Sequence, residues 1–331
     1  MVDTIERNPE DRTTLQGNAG RSLLDGWTDA HTAKFQRENM TFRHRLEETG
    51  LFTDDALLDL LARHPSELLD VCTMGAPDHP VYPNRFRTGD FRDAAPADIL
   101  AAAKAGRIWV NVRNGMNVHA DYRAVLDRMY GGLAEATGNR AFHPKGGILI
   151  SSPIARVPYH FDKTEVVLWH VRGRKTVYVW PNNQHFIPDS AHESKLTNMM
   201  DDDLPYTQDF ERDATVLELQ PGDGATWPLN APHRVDNQTF CVSVTTEYST
   251  AESIIKNSAM VTNAVLRRYM RLSPLYERDG AVSRRVKSVA GRVLKKTPLA
   301  ADATPLDMVT FKIDAASPDY IVDVEPFERC F

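Results

Sequence analysis

Apolar and polar positions alternate with different periods in different parts of this chain. From Asp54 to Cys72 the leucines Leu57, Leu58, Leu61, Leu68 and Leu69 recur at helical spacing. Pro65 breaks that run into two short helices and biases His64 away from helical dihedrals, so His64 is expected to cap or face solvent. Further helices are predicted over Pro96–Ala105, closed by Gly106, and over Asp121–Thr137. Arg107–Val112 and Gly146–Ser152 read as strands, rich in β-branched residues. From there to Ser249 strand follows strand. Val166–Val171 and Lys175–Trp180 flank the turn Arg172-Gly173-Arg174; Thr215–Leu219, Ala225–Trp227 and Phe240–Glu247 come later. A long polar loop over 181–213, containing Asp201-Asp202-Asp203, separates the two groups.

Short strands joined by turns, with no helices between them, predict an antiparallel barrel or jelly roll. The fold class is therefore mainly β with flanking helices, around a double-stranded β-helix core at 107–250. Residues 1–20 read as a flexible lead-in and 21–106 as a helical N-terminal region. Residues 251–331 supply C-terminal helices and a tail. One helix is predicted over 252–272, with Ile254, Val261, Val265, Tyr269 and Leu272 on a stripe. A second, over 282–296, carries Val282, Val286, Val289 and Val293 on one side. Arg284, Arg285, Lys287, Arg292, Lys295 and Lys296 occupy the rest of it, with no acid. The valine stripe is expected to pack on the domain and the basic face to be solvated. Val309–Ile313 and Tyr320–Val324 read as a terminal hairpin.

Composition excludes several classes. The 331 residues are 42% hydrophobic and 25% charged, which rules out wholesale disorder and collagen-like repeats. A formal charge of −6 suggests no global attraction to nucleic acid or anionic lipid. Cys72, Cys241 and Cys330 form no C-x-x-C pair, against a disulfide framework or cysteine zinc site. Met1–Gly20 lacks the pattern of a secretory signal, and no apolar run reaches membrane-spanning length. A cytoplasmic protein is expected.

Candidate chemistry sits at Val157-Pro158-Tyr159-His160-Phe161-Asp162 and at His233. Side chains one residue apart on an extended strand point the same way, so His160 and Asp162 share a face. With a histidine from a distant strand they make a 2-His-1-carboxylate triad, which holds Fe(II) and leaves positions open for a co-substrate and dioxygen. Lys175 follows Asp162 by thirteen residues, just past the hairpin glycine. Pro221-Gly222-Asp223 precedes Pro228 and His233.

This constellation resembles the JmjC-type hydroxylases, Fe(II)- and 2-oxoglutarate-dependent oxygenases that include protein asparaginyl hydroxylases. Their pattern P-x-H-x-D, [KR]-G-x-K, then P-G-D, a proline and a histidine corresponds here to three segments. These are Pro158–Asp162, Arg172–Lys175, and Pro221-Gly222-Asp223 with Pro228 and His233. The resemblance spans roughly 107–250. It implies that His160, Asp162 and His233 bind Fe(II), that Lys175 pairs with the distal carboxylate of 2-oxoglutarate, and that the helices over 252–296 make a homodimer. A dianionic co-substrate needs a buried cation at its far end, and an inward lysine one strand away supplies it. The sequence departs from the family where a threonine and a tyrosine assist that lysine: Val157 and Trp109 stand there. Ser151, Ser152 or Thr246 could replace the missing hydroxyls, with Trp109 and Asn111 lining the pocket.

Trp169, Tyr178 and Trp227 are expected to fill the core, and His170 to be a satisfied core histidine. His185 and His192 are expected in solvent, and Thr164 and Glu165 are candidates to orient the ligands. Two rival readings stand beside the oxygenase: a metal cupin enzyme that does not use 2-oxoglutarate, and a non-catalytic binding barrel. The motifs select no substrate, whether small molecule or protein side chain.

Overall fold

In the computed structural model, residues 22–82, 84–197, 204–300 and 307–330 are described. The lead-in at 1–20, Pro83 and the Asp201–Asp203 cluster lie outside the described residues.

Fifteen strands are described: β1 (Leu24–Asp25), β2 (Met40–His44), β3 (Leu69–Met74), β4 (Phe86–Asp90), β5 (Ile108–Val112), β6 (Phe142–Ser151), β7 (Arg156–His160), β8 (Glu165–Arg172), β9 (Lys175–Val179), β10 (Thr215–Leu219), β11 (Asp223–Thr226), β12 (His233–Asn237), β13 (Cys241–Ser249), β14 (Met308–Ile313) and β15 (Ile321–Glu328). Strands β6 to β13 pass back and forth between two sheets. One has the order β11-β8-β13-β6, the other β10-β9-β12-β7. Every pairing within these two sets is antiparallel. That order is the double-stranded β-helix, the jelly roll expected from the strand pattern.

Both faces of the larger sheet are covered, which is why its strands read as unbroken apolar runs. On β8, Val167, Trp169 and Val171 join the main core, while Val166 and Leu168 face the barrel interior. The main core lies under three helices: α2 (Asp54–Arg63), α3 (Pro96–Ala105) and α5 (Ala120–Thr137). From them Leu57, Leu60, Ile99, Leu100, Tyr122, Leu126 and Met129 are buried against the sheet. Helix α2 begins where Thr53 accepts a hydrogen bond from the Ala56 N–H at 3.3 Å, and ends at His64 before Pro65. His64 does occupy the capping position, yet it is buried, in contact with His119 at 3.1 Å.

The second helix predicted before Cys72 is instead a short 3₁₀ turn running into β3. Valine and threonine at Val71 and Thr73, with a neighbour on each side, favour the strand over what two leucines suggested. β1 and β2 extend the large sheet past β11 on one side; β5, β3 and β4 extend it past β6 on the other. The terminal hairpin β14–β15 completes that side, β14 pairing in parallel with β4. Arg87 donates to the Thr310 hydroxyl at 3.1 Å and to the Asp323 carboxylate, and Gly89 leaves room for the Phe311 ring.

The 181–213 stretch is not one long loop. It contains α6 (Asp189–Thr197) and a 3₁₀ turn over Gln208–Asp213. The short helices α1 (Asp29–Lys34) and α4 (Gly115–Val118) join other segments.

Two helices follow the barrel, α7 (Ala251–Met270) and α8 (Ala281–Leu294), packed on each other. Their contact corrects the expectation for the valines. Ser288 and Gly291 face α7, and a Cβ on Gly291 would lie 1.8 Å from the Ser258 carbonyl oxygen, so only glycine allows this approach. Thr262 donates to the Lys287 carbonyl at 2.7 Å across the same seam. Val282, Val286, Val289 and Val293 consequently point to solvent, each more than 60% exposed. Two basic side chains are used internally: Lys287 pairs with Asp279 at 2.7 Å and Arg284 covers the Tyr276 ring. Among the described residues, no helix is long and apolar enough to cross a membrane.

Candidate metal centre

β7 ends at His160, and β12 begins at His233 directly opposite it. The register then slips, so that Val235 faces Val157 with one extra residue on β7. This bulge changes which side chains point inward. Val157 packs with Trp109, Cys72 and Ala155, and His160 also turns inward, although three residues separate the two. Tyr159 turns outward to Trp180 and Phe210, its hydroxyl donating to the Phe186 carbonyl at 2.9 Å.

Asp162 follows two residues after His160, just beyond the strand. One ligand atom from each of His160, Asp162 and His233 lies within 4.8 Å of the others. His233 Nε2 is 3.3 Å from Asp162 Oδ2, and the two imidazole centroids are 4.2 Å apart. Each histidine has its other nitrogen engaged. His160 Nδ1 donates to the Pro158 carbonyl at 2.8 Å and His233 Nδ1 to the Ala231 carbonyl at 3.0 Å. A carbonyl can only accept, so both rings carry Nδ1–H and turn the Nε2 lone pair to the centre. Burial, with His160 alongside, pushes the His233 pKa down to about 3, which keeps that lone pair free. Two imidazoles with Nε2 toward the centre and a carboxylate form a donor set that suits a divalent transition metal.

The segment between the ligands is held from behind. Phe161 is fully buried, with the His192 ring edge-on at 4.6 Å and the Lys195 ammonium 4.5 Å above its face. Lys195 also donates to the Phe161 carbonyl, and Asn230 Nδ2 to the Asp162 carbonyl at 2.8 Å. Asn230 is at φ 59°, a left-handed position that asparagine tolerates. Helix α6, which carries His192 and Lys195, is tied to α7 by Glu193 and Arg267 at 2.8 Å. His192 is thus buried rather than solvated, whereas His185 is exposed as expected. Sequence reasoning missed Lys195 and Asn230; both look like ordinary loop polar residues until the fold turns them toward the H-x-D backbone.

Trp227 lies at 4.5 Å from His233 and walls the centre, so it does more than fill the core. Trp169 is core, and Tyr178 is on the outer face beneath Arg234. His170 is a satisfied core histidine, bonded to Ser243 at 3.0 Å and to the Gly173 carbonyl at 2.9 Å. Glu165 bonds Thr250 at the start of α7 at 2.5 Å, so backbone carbonyls, not this carboxylate, orient the two histidines.

Lys175 faces the interior with Val177 and Val179, and Val179 pairs with His233. The lysine sits four residues along β9 from Val179, about 13 Å by strand rise. It is 3% exposed, and its ammonium makes no hydrogen bond or ion pair among the described residues. Burial lowers its pKa. Asn111 and Trp109 are on the interior face of β5: Asn111 Oδ1 and the Thr245 methyl both come close to Gly147. Thr246 is corrected. Its hydroxyl accepts from Trp169 Nε1 at 3.0 Å and donates to the Val167 carbonyl at 3.2 Å, on the face turned to the helices. Ser152 is likewise committed, to the Ile108 N–H and the Ala102 carbonyl. Ser151, paired across from Cys241 and Trp109, keeps its place on the interior face.

No family model matches this chain, and no curated protein matches it. Among solved structures, it is similar to the ribosomal oxygenase YcfD of Escherichia coli in complex with cobalt and 2-oxoglutarate. Identity is 15%, over 87% of this chain and 74% of that one, with a TM-score of 0.47. The same enzyme with cobalt and succinic acid gives 15% identity, the same coverage and a TM-score of 0.45. An RmlC-like cupin from Shewanella frigidimarina is similar over 33% of this chain and 68% of its own, at 15% identity and a TM-score of 0.22.

Proposed function

We propose that this chain is an Fe(II)- and 2-oxoglutarate-dependent oxygenase that hydroxylates an unactivated C–H bond. The observation that carries the reading is Lys175, a buried ammonium without a partner among the described residues, in the same barrel interior as the His160, Asp162 and His233 cluster. An isolated cation there costs several kcal/mol, which a bound dianion would offset. His160, Asp162 and His233 would hold the metal, and Lys175 would bind the far carboxylate of the co-substrate. Bound there, Fe(II) supplies dioxygen activation and 2-oxoglutarate the electrons, leaving as succinate and carbon dioxide. The chain's own part is to keep one side of the metal open, fix the ligands through the Pro158 and Ala231 carbonyls, and exclude water with Trp227 and the valines of β9. Succinate formation from Fe(II), dioxygen and 2-oxoglutarate tests the reading; iron binding without any turnover of 2-oxoglutarate would favour a metal cupin instead.

Lys195 positions the centre without touching it. Lys195→Met keeps most of the side-chain volume but removes the bond to the Phe161 carbonyl. Metal affinity is expected to fall by about ten- to a hundred-fold, the usual effect of losing an outer partner. Calorimetric titration of the metal-free protein with Co(II) measures this; unchanged affinity assigns Lys195 to packing alone.

The reading extends to a homodimer through 252–296, supported by the four exposed valines of α8. Light scattering is then expected to give twice the 37.2 kDa chain mass. Val286→Asp with Val289→Asp should halve it, and a wild-type monomer sinks the dimer without affecting the metal centre.

A further inference from the structure

On the side of α6 away from the triad lies a polar cavity of about 230 Å³, between the 182–192 segment, α7 and the start of α8. Its walls carry two buried nitrogens without a hydrogen bond and one ammonium without a direct partner. His192 Nε2 and Arg284 Nε are buried without a hydrogen bond, and His192 is only 3% exposed. The Lys256 ammonium makes no hydrogen bond or ion pair among the described residues, and burial lowers its pKa. Asp189, on the same wall, acts on Lys256 through its charge but makes no direct bond to it; its Oδ1 accepts from Gln184 and its Oδ2 from the Tyr276 N–H at 3.0 Å. Glu252 and Glu277 also line the cavity but are exposed, at its rim.

Two orphaned buried nitrogens and the half-buried, unbonded Lys256 ammonium around one space imply a guest that accepts hydrogen bonds. The space corresponds to about seven waters, below the size of a drug-like ligand. A carboxylate satisfies Lys256, Arg284 and His192 together. The two rim glutamates oppose a simple anion and suit a ligand with a cationic end facing out. We propose that this cavity is a second binding site, for a small zwitterion carrying a carboxylate and an ammonium group, of the amino-acid class. It is separated from the metal centre by His192 and Phe161, whose rings meet edge-on at 4.6 Å.

The test uses the full-length, chelator-treated protein and isothermal titration with each standard amino acid at millimolar concentration, with acetate, phosphate and methylamine as further arms. At least one amino acid is expected to bind with one site per chain, and to bind His160→Ala equally well. Lys256→Met should weaken it by about ten-fold or more, the loss of one charge-assisted hydrogen bond. Glu252→Gln, at the exposed rim, should weaken it without disturbing the fold. The proposal is overturned if no amino acid binds, or if acetate or phosphate binds as tightly. It is equally overturned if Lys256→Met and Glu252→Gln leave binding unchanged.

Discussion

His160→Ala and His233→Ala are each expected to abolish metal binding. Purified without oxygen, the wild-type protein should take up about one Fe(II) per chain, as a three-ligand site does. Removing either imidazole leaves two ligands, and the partner that remains already has its Nδ1 committed to a carbonyl, so it cannot swing to compensate. His233 is almost fully buried, so its variant needs a circular dichroism control to separate a lost ligand from a lost fold. After aerobic purification, zinc or nickel in place of iron is the expected contaminant, because affinity order and availability compete with function. Undiminished metal uptake by both variants removes the basis of the proposed activity.

At Lys175 two effects of opposite sign are expected from one substitution. Lys175→Ala removes the anchor for the distal carboxylate, and truncating one partner of a buried charge pair costs about 2–5 kcal/mol. At 1.4 kcal/mol per tenfold, 2-oxoglutarate binding weakens by about thirty-fold or more. Lys175→Arg should not restore it, since a planar fork is a poor substitute for a compact ammonium in a fitted pocket. Lys175→Met should lose the co-substrate equally, yet raise the stability of the ligand-free protein. It exchanges an unpaired buried cation for a packed apolar chain. Titration of the iron-loaded protein, followed by metal-to-ligand absorbance, measures binding; thermal unfolding without ligand measures stability. If the wild type binds iron but develops no charge-transfer band with 2-oxoglutarate, the metal cupin reading takes its place.

The barrel could be read from sequence because each of its features is local. Runs such as Glu165–Arg172, the left-handed Gly173 and the Pro221-Gly222-Asp223 turn all specify strands and reversals by themselves. The histidines and aspartate were found from the H-x-D spacing and the distant histidine, although β7 ends at His160 and Asp162 reaches the centre from beyond the strand. What failed depended on contacts distant in sequence. The face of α8 is set by Gly291 against Ser258, so helical periodicity, which marks a stripe but not its partner, put the valines on the wrong side. Thr246 was misplaced by one residue of alternation: Thr245 is the threonine facing inward. Val71 and Thr73 form a strand only because β4 and β5 flank them. Lys195 and His192 acquire their roles from α6 folding back over Phe161, which no local pattern announces.

The parallel pairing of β14 with β4 joins segments far apart in the sequence. Val309 lies beside Thr88, and Arg87 is held by Thr310 and Asp323. As the nascent chain leaves the ribosome, the jelly roll can close while the outer edge of β4 is still bare. That edge has unpaired backbone groups and a glycine that opens the surface for a phenylalanine yet to be translated. Until residues 308–313 arrive, the nearest strand able to cap it belongs to another molecule. Docking of β14 on β4 moves the free edge of the sheet outward to β15.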